Sequence, residues 1–367
     1  MHILNLATVL PKNGYTTEKL IETFPCQLPE GVRQNVVKLG VSKRYLIDHA
    51  YAENTMNEAE LVDLCTDACQ KLIQKSSLST KDIGFFIAAY DANPSLSPGL
   101  SQLLVREIGF DAYVNHTNIQ GIASTAFPKA LEFARNYLAT NEKDYALLCI
   151  SGVSSYWFQN QVRGMEDLLE IGQVNKIKDE TRRRMELRKW VATMEFFLFG
   201  DGVATAIVAR EGEGLRVEKT VEVTNIGKKH HLAGYASLTA SNEPFKFGFY
   251  SNLGREIPDL GARYTALALE RLLGKETERI IGIAKKWAVH TGSQKILNRI
   301  AETHGIVYEK IRESHEVLRD CGNLSGASLP FILEKIVSSG KLSKNDLVLM
   351  VGYGWGFSAA ASLLEYT

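Results

Sequence analysis

The sequence predicts an α/β fold with an internal duplication, and two observations support this prediction. Apolar stretches of strand length alternate with segments of helical periodicity along most of the 367-residue chain. In addition, two stretches repeat each other without a gap at an offset of 202 residues, so that 83–90 corresponds to 285–292. A duplicated strand–helix–strand unit is typical of two halves that share one core, with a site where equivalent loops converge.

Identical residues mark the register of this repeat. Pro128, Leu131, Glu132, Asp144, Leu147 and Gly152 of the first copy match Pro330, Leu333, Glu334, Asp346, Leu349 and Gly354 of the second. We therefore predict an N-terminal half over 1–212 and a C-terminal half over 213–367.

The predicted elements follow in the same order in both halves. The first half predicts a helix over 57–75, strand 83–90, helix 98–107, a strand near 113–120, a helix from Phe127 to about Leu138 and strand 145–151. The second predicts helix 259–273, strand 286–290, helices 294–303, 308–319 and 328–338, and strand 346–352. Alternation of this kind favours a mixed or parallel sheet over a sandwich.

A charged insertion over about 156–190 has no counterpart in the second half. It lies between two strands that would otherwise be neighbours, and we expect a surface excursion that is partly helical. Its basic run 182–189, RRRMELRK, is typical of a solvated helix face. The alternative is a cap over the site that meets a phosphate-bearing ligand.

The composition argues against several classes of protein. Lys and Arg number 42, as do Asp and Glu, so no basic field is available for nucleic-acid binding. The N-terminus lacks the basic flank of a signal peptide, and no apolar run approaches about 18 residues, so we expect a soluble cytoplasmic protein. The cysteines form an odd set without a CxxC pair, which suggests neither a disulfide framework nor a zinc site.

A turn of small residues, 121–126, precedes a helix with Pro128 in its first turn. Ser124 therefore lies at a helix N-terminus, where unpaired N–H groups and the helix dipole favour an alkoxide or a nearby oxyanion. Serine is also a frequent N-cap residue. The local sequence alone leaves both interpretations open and favours the cap.

Two further polar residues occupy comparable positions in the second half. His290 ends the apolar strand KKWAVH, at the lip of the predicted sheet, and Asn323 precedes the helix that duplicates the Ser124 helix. Separately, such residues are usually structural. Because equivalent turns should meet where the halves join, the duplication favours one shared site for Ser124, His290 and Asn323.

Several segments resemble motifs of the thiolase superfamily, above all of β-ketoacyl synthase III and the chalcone-synthase-like enzymes. They are IASTAFPKAL (122–131), FLFGDGVATAIV (197–208), GREIPDLGARYTALAL (254–269), WAVHTGSQKIL (287–297) and GNLSGASLPFIL (322–333). The resemblance spans nearly the whole chain in the family's order. It implies a five-layered α-β-α-β-α thiolase fold, usually in a homodimer.

The resemblance also implies a catalytic cysteine, histidine and asparagine. His290 and Asn323 match the last two, whereas the family's cysteine falls on Ser124. A serine hydroxyl needs an adjacent general base, for which His290 is the candidate. In the family, the histidine and asparagine bind a malonyl thioester carbonyl as it becomes an enolate, and the resemblance places both residues in this chain.

We therefore expect an acyltransferase that takes an acyl group from a CoA or carrier-protein thioester onto Ser124 and passes it to a second substrate. A serine variant fits a specialised polyketide or natural-product pathway. Acyl-CoA or acyl-carrier-protein phosphopantetheine would be a substrate, with no permanently bound cofactor and no metal. The alternative, suggested by the missing cysteine, is a catalytically silent subunit that pairs with an active partner. Cys321 is a poor substitute nucleophile because no helix start is aimed at it.

The remaining expectations concern the ligand phosphate and the dimer. Lys38 falls where β-ketoacyl synthase III has a phosphate-contacting arginine, and Arg44 lies close by; a solvated lysine is the competing interpretation. The dimer strand is expected near 113–120, although YVNHTNIQ is polar for such a contact. His116 in this strand is interpreted as structural, near enough to the Ser124 turn to line the site.

Overall fold

A computed structural model describes residues 1–47, 58–91, 97–238 and 249–367 of the chain. Its strands are β1 (His2–Val9), β2 (Asn13–Thr16), β3 (Lys43–Leu46), β4 (Ile83–Tyr90), β5 (Asn115–Ile119), β6 (Tyr145–Ser151), β7 (Val203–Ala209), β8 (Leu215–Thr224), β9 (Gly234–Leu238), β10 (Phe249–Leu253), β11 (Lys286–Val289), β12 (Leu347–Gly354) and β13 (Ser358–Tyr366).

Helices fill most of the remaining described chain. They are α1 (Thr17–Glu22), α2 (Glu30–Lys38), α3 (Glu58–Lys75), α4 (Leu100–Ile108), α5 (Ala126–Thr140), α6 (Ser155–Val162), α7 (Ile171–Val174), α8 (Glu180–Leu198), α9 (Ile257–Leu273), α10 (Thr277–Ile283), α11 (Gln294–His304), α12 (Tyr308–Cys321) and α13 (Ser328–Ser338). The predicted elements are all present, with ends that differ by at most two residues. Position 57, the predicted start of the first helix, lies outside the described residues.

The predicted duplication appears in the main sheet. Within the described residues, its order is β5-β4-β6-β7-β1-β8-β13-β12-β11. On one side β4 runs parallel to β6, and β6, β7 and β1 follow antiparallel. On the other side β11 runs parallel to β12, and β12, β13 and β8 follow antiparallel. The two sets meet where His2 and Ile3 pair with Arg216 and Leu215. The boundary at 212 falls in the turn between β7 and β8, and the division into halves stays our interpretation.

Alternation along the strands produces the five layers. In β4, Phe86 and Ala88 pack into an outer cluster with α3 and α4, whereas Ile87 and Ala89 face the central helices α5 and α13. In β11, Ala288 faces the same central helices, and Trp287 packs outward with α9 and α11. The sheet halves therefore enclose one helix layer and carry another on each outer face. The α-β-α-β-α prediction is confirmed.

The insertion differs from its prediction. It contains α6, α7 and most of α8, so the helical part is confirmed, and it connects the antiparallel neighbours β6 and β7. It is not simply a surface excursion, because Val162, Met165 and Leu168 are buried in a cluster with α1 and α2. The basic run is partly exposed: Arg182 and Arg184 face solvent at the start of α8, whereas Glu186 is buried.

The strand predicted near 113–120 is β5, which lies at one edge of the main sheet and pairs with β4. His116 is exposed there and its Nδ1 lies 2.9 Å from the Ser101 hydroxyl, so its contact is structural. The homodimer through this edge stays a prediction. Among the helices of the described ranges, we find none with the length and apolar character needed to cross a bilayer.

Candidate active site

A cavity of about 620 Å³ lies where the two copies of the repeat meet. At this junction the 3₁₀ turn Ala123–Thr125 contacts its counterpart, Ser325–Ala327. A Cβ added to Gly326 would lie 3.1 Å from the Ala123 carbonyl oxygen, so the backbones pack closely. The expectation that equivalent turns approach each other is confirmed. Apolar side chains dominate the cavity wall: Trp157, Phe158, Leu198, Phe199, Leu253, Ile257, Ile296, Trp355 and Phe357.

Ser124 lies in the first of these turns and lines the cavity. The preceding residue, Ala123, has φ +44°, a left-handed conformation that is unusual for a residue with a side chain. The Ser124 hydroxyl does not cap α5, whose N-cap is Thr125 without a side-chain cap bond. Instead its Oγ lies 2.8 Å from Nε2 of His290. The cap interpretation is therefore wrong for this serine.

Two glycines of β12 allow the sheet edge to approach the Ser124 turn. A Cβ at Gly352 would lie 2.5 Å from the Ser124 carbonyl oxygen, closer than real Cβ atoms come to backbone. At Gly354 it would lie 3.2 Å from the Ser124 nitrogen. Because these glycines have no side chains, the turn can pack against the carboxyl end of β12. The second half of the chain thus helps to position the Ser124 hydroxyl, which belongs to the first half.

His290 follows β11 and is buried, with 2% of its surface exposed. Its backbone N–H donates to Val351, and the Tyr353 hydroxyl donates to its carbonyl oxygen at 3.1 Å. Burial lowers the pKa of His290 to about 3, so the imidazole is neutral at physiological pH. Its Nδ1 is buried and has no hydrogen-bond partner within the described ranges. Among the residues that the structure describes, no carboxylate therefore completes a Ser-His-Asp triad with the Ser124–His290 pair.

Asn323 also lines the cavity, and its backbone is fixed by α8 and the turn that follows it. Its N–H donates to Leu198, and its carbonyl oxygen accepts from Gly200. The side-chain Oδ1 accepts from the Ser325 backbone N–H at 2.9 Å. Because the oxygen is engaged, the amide orientation is set and the Nδ2 donor remains for the cavity. Ser124, His290 and Asn323 are thus brought to one site.

The predicted phosphate ligands are not both suited to that role. Lys38 is exposed in the last turn of α2, which leaves it available. Arg44 is fully buried, and its guanidinium donates to the Phe196 carbonyl and to the Thr17 hydroxyl. Burial lowers its pKa to about 9. Arg44 therefore stabilises the interior of the protein. Its predicted role as a phosphate contact is wrong, because the fold buries its guanidinium.

Cys321 does not replace the missing thiol. Burial raises the pKa of the Cys321 thiol to about 11. Cys321 is also absent from the described residues that line the cavity. Sequence reasoning missed a different residue, Asp91, which follows β4 and lines the cavity. The signal was available, because Asp91 directly follows an apolar strand, as His290 does.

Comparison with known proteins agrees with this architecture. Residues 285–366 match the family model for the C-terminal part of 3-oxoacyl-[acyl-carrier-protein] synthase III. The chain is 26% identical to β-ketoacyl-[acyl-carrier-protein] synthase III of Clostridium perfringens strain 13, over 97% of this chain and 96% of that protein. It is 21% identical to 3,5-dihydroxyphenylacetyl-CoA synthase of Streptomyces toyocaensis, over 99% and 90% of the two chains.

Among solved structures, 1,3,6,8-tetrahydroxynaphthalene synthase of Streptomyces coelicolor, a bacterial type III polyketide synthase, superposes with a TM-score of 0.81 at 21% identity. The match covers 100% of this chain and 99% of that one. The chain therefore has the thiolase fold.

Proposed function

We propose that this protein is an acyltransferase of the ketosynthase III type that uses Ser124 as its nucleophile. The acyl group would come from a CoA or carrier-protein thioester and pass to a second substrate, in a specialised polyketide or natural-product pathway. The observation that carries the proposal is the 2.8 Å contact between Ser124 Oγ and His290 Nε2 in the wall of an apolar cavity.

Acylation would proceed by attack of Ser124 Oγ on the thioester carbonyl while His290 Nε2 takes the hydroxyl proton. The thiolate leaves and recovers that proton, so neutral His290 is restored. Because burial disfavours the imidazolium, the proton should remain on His290 only briefly. The helix α5 start supplies backbone N–H groups for the tetrahedral oxyanion.

The cavity accommodates the rest of such a substrate. Its aromatic and aliphatic wall fits an acyl chain, and the Asn323 amide can donate to a thioester carbonyl. No lysine or arginine is found among its described lining residues, so a phosphate would have to bind outside it. Lys38 remains a candidate for that contact.

The geometry gives less support to a silent subunit. A scaffold would need neither a hydroxyl aligned on an imidazole nor an amide oriented toward the same cavity. The main argument for a silent subunit is that serine replaces the family's cysteine. This argument is weak, because a serine can form an acyl-enzyme when a base is adjacent.

Intact-mass analysis would test the proposal directly. The protein is incubated with a panel of acyl-CoAs and acyl carrier proteins, beside Ser124→Ala, Ser124→Cys and the control Ser338→Ala, which changes an exposed serine of α13. We expect an acyl adduct in all but Ser124→Ala. An adduct that persists in Ser124→Ala would exclude this nucleophile, and none from any donor would favour the silent subunit.

A further inference from the structure

The cavity contains one carboxyl group among its described lining residues, that of Asp91. Asp91 comes directly after β4, and the Gln120 side chain donates to its backbone carbonyl at 3.4 Å. A carboxylate in an apolar cavity is costly unless it is paired or used. The structure gives it no cationic partner: the described lining includes no lysine or arginine.

Asp91 is connected to Asn323 through a single residue. The Ser325 hydroxyl donates to Asp91 Oδ2, and the Ser325 backbone N–H donates to Asn323 Oδ1. Ser325 itself has φ +47°, the counterpart in the repeat of the left-handed Ala123 beside Ser124. The carboxylate and the amide are therefore held in a fixed relation on the same side of the junction.

We propose that Asp91 is a catalytic base that removes an α-proton from an acyl thioester whose carbonyl is bound by Asn323. This inference rests on the proposed function and specifies its second substrate. The carbon nucleophile would be a plain acyl thioester, activated by deprotonation, rather than a malonyl thioester activated by loss of carbon dioxide.

The atoms balance without an added reactant. Asp91 takes the α-proton, and the C–H electron pair forms the enolate, whose oxygen accepts from Asn323 Nδ2. The α-carbon attacks the Ser124 ester carbonyl, a C–C bond forms, and the bond to Ser124 Oγ breaks. The proton on Asp91 then returns to the Ser124 oxygen through the cavity, which gives a β-ketoacyl thioester and the free enzyme.

Electrostatics favours this substrate class. A malonyl thioester would bring a second carboxylate into an apolar cavity that already contains one, with no cation among the described lining residues to offset them. A plain acyl thioester brings no charge. Burial also raises the pKa of Asp91, which makes it a stronger base than an exposed aspartate.

Hydrogen exchange tests the proposal separately from acylation. Acetyl-, hexanoyl- and decanoyl-CoA are incubated with the protein in D₂O, and deuterium at the α-carbon is measured by mass spectrometry. We expect exchange with at least one of them, and a loss of about 10²–10⁴-fold in Asp91→Asn. The control Asp144→Asn, which changes an exposed partner of Arg210, should exchange like the wild type.

A second variant, Asp91→Ala, and a second measurement cover the case in which Asp91→Asn folds poorly. Decarboxylation of malonyl-CoA should be slow in the wild-type protein and faster, by about tenfold or more, once the Asp91 charge is removed. No exchange by the wild-type protein, or equal exchange by Asp91→Asn, would overturn the role of Asp91. The Ser124 adduct is scored independently, so exchange without an adduct would retain this inference and refute the proposed nucleophile.

Discussion

Replacing His290 by glutamine should change how the stability of this protein depends on pH. The imidazole is buried, its Nδ1 has no hydrogen-bond partner in the described part of the chain, and burial lowers its pKa from 6.5 to about 3. In the unfolded chain the same side chain titrates normally. Between these two values the unfolded state binds a proton that the folded state does not, so the wild-type protein loses stability as the pH falls below 6.5.

The size of the effect follows from the two pKa values. Each unit of pH below 6.5 costs about 1.4 kcal/mol until the folded state also binds the proton. Between pH 7.5 and pH 5.0 the contribution of His290 therefore amounts to about 2 kcal/mol. Glutamine has no titration in this range, and the other histidines are common to both proteins. The difference between the two proteins isolates His290.

Urea unfolding, followed by tryptophan fluorescence at both pH values, measures this difference. We expect the wild-type protein to lose about 2 kcal/mol more than His290→Gln on going from pH 7.5 to pH 5.0. Equal losses would mean that His290 titrates normally in the folded protein. The neutral buried imidazole that we place beside Ser124 would then be wrong.

Three further substitutions test other parts of the structure. Gly352→Ala places a Cβ against the Ser124 carbonyl oxygen. Calorimetry should show that the unfolding free energy falls by about 1–3 kcal/mol, and intact-mass analysis should show that the acyl adduct forms more slowly. Unchanged values would refute the close approach. Burial raises the pKa of Glu195 to about 8, so the wild-type protein loses stability as the pH rises from 4.5 to 8. The substitution Glu195→Gln should therefore stabilise the protein by roughly 3 kcal/mol more at pH 7.5 than at pH 5.0. Urea titrations that show no such difference would contradict this reasoning. Lys286→Met removes the ammonium group that lies 2.7 Å from the buried Glu313 carboxylate, and it should lower the unfolding free energy by about 3 kcal/mol. The control Arg210→Met breaks the exposed pair with Asp144 and should cost less than about 1 kcal/mol in the same measurement.

Much of the fold was predictable because it depends on local patterns. Strand and helix periods, the small-residue turn and Pro128 are properties of short windows, and they located the predicted elements to within two residues. The repeat added a long-range constraint that single windows lack. It predicted that the Ser124 turn and its counterpart would meet, which the packing of Gly326 against Ala123 confirms.

Burial was harder to predict. Arg44 looked like a ligand contact, but the fold places it inside, where the Phe196 carbonyl and the Thr17 hydroxyl accept its hydrogen bonds. The insertion looked charged and external, yet Phe158 lines the cavity. Both depend on how segments distant in sequence pack together, and neither periodicity nor composition contains that information.

The sequence by itself determined the order of the elements, the duplication, the presence of a serine and an asparagine at equivalent turns, and a histidine at the end of a strand. Only the tertiary structure decided that Ser124 Oγ and His290 Nε2 lie 2.8 Å apart, although 166 residues separate them along the chain. It also placed Asp91 in the same cavity. The physical reason is that hydrogen bonds and desolvation depend on distances of a few ångströms, which are set by packing across the junction of the two halves.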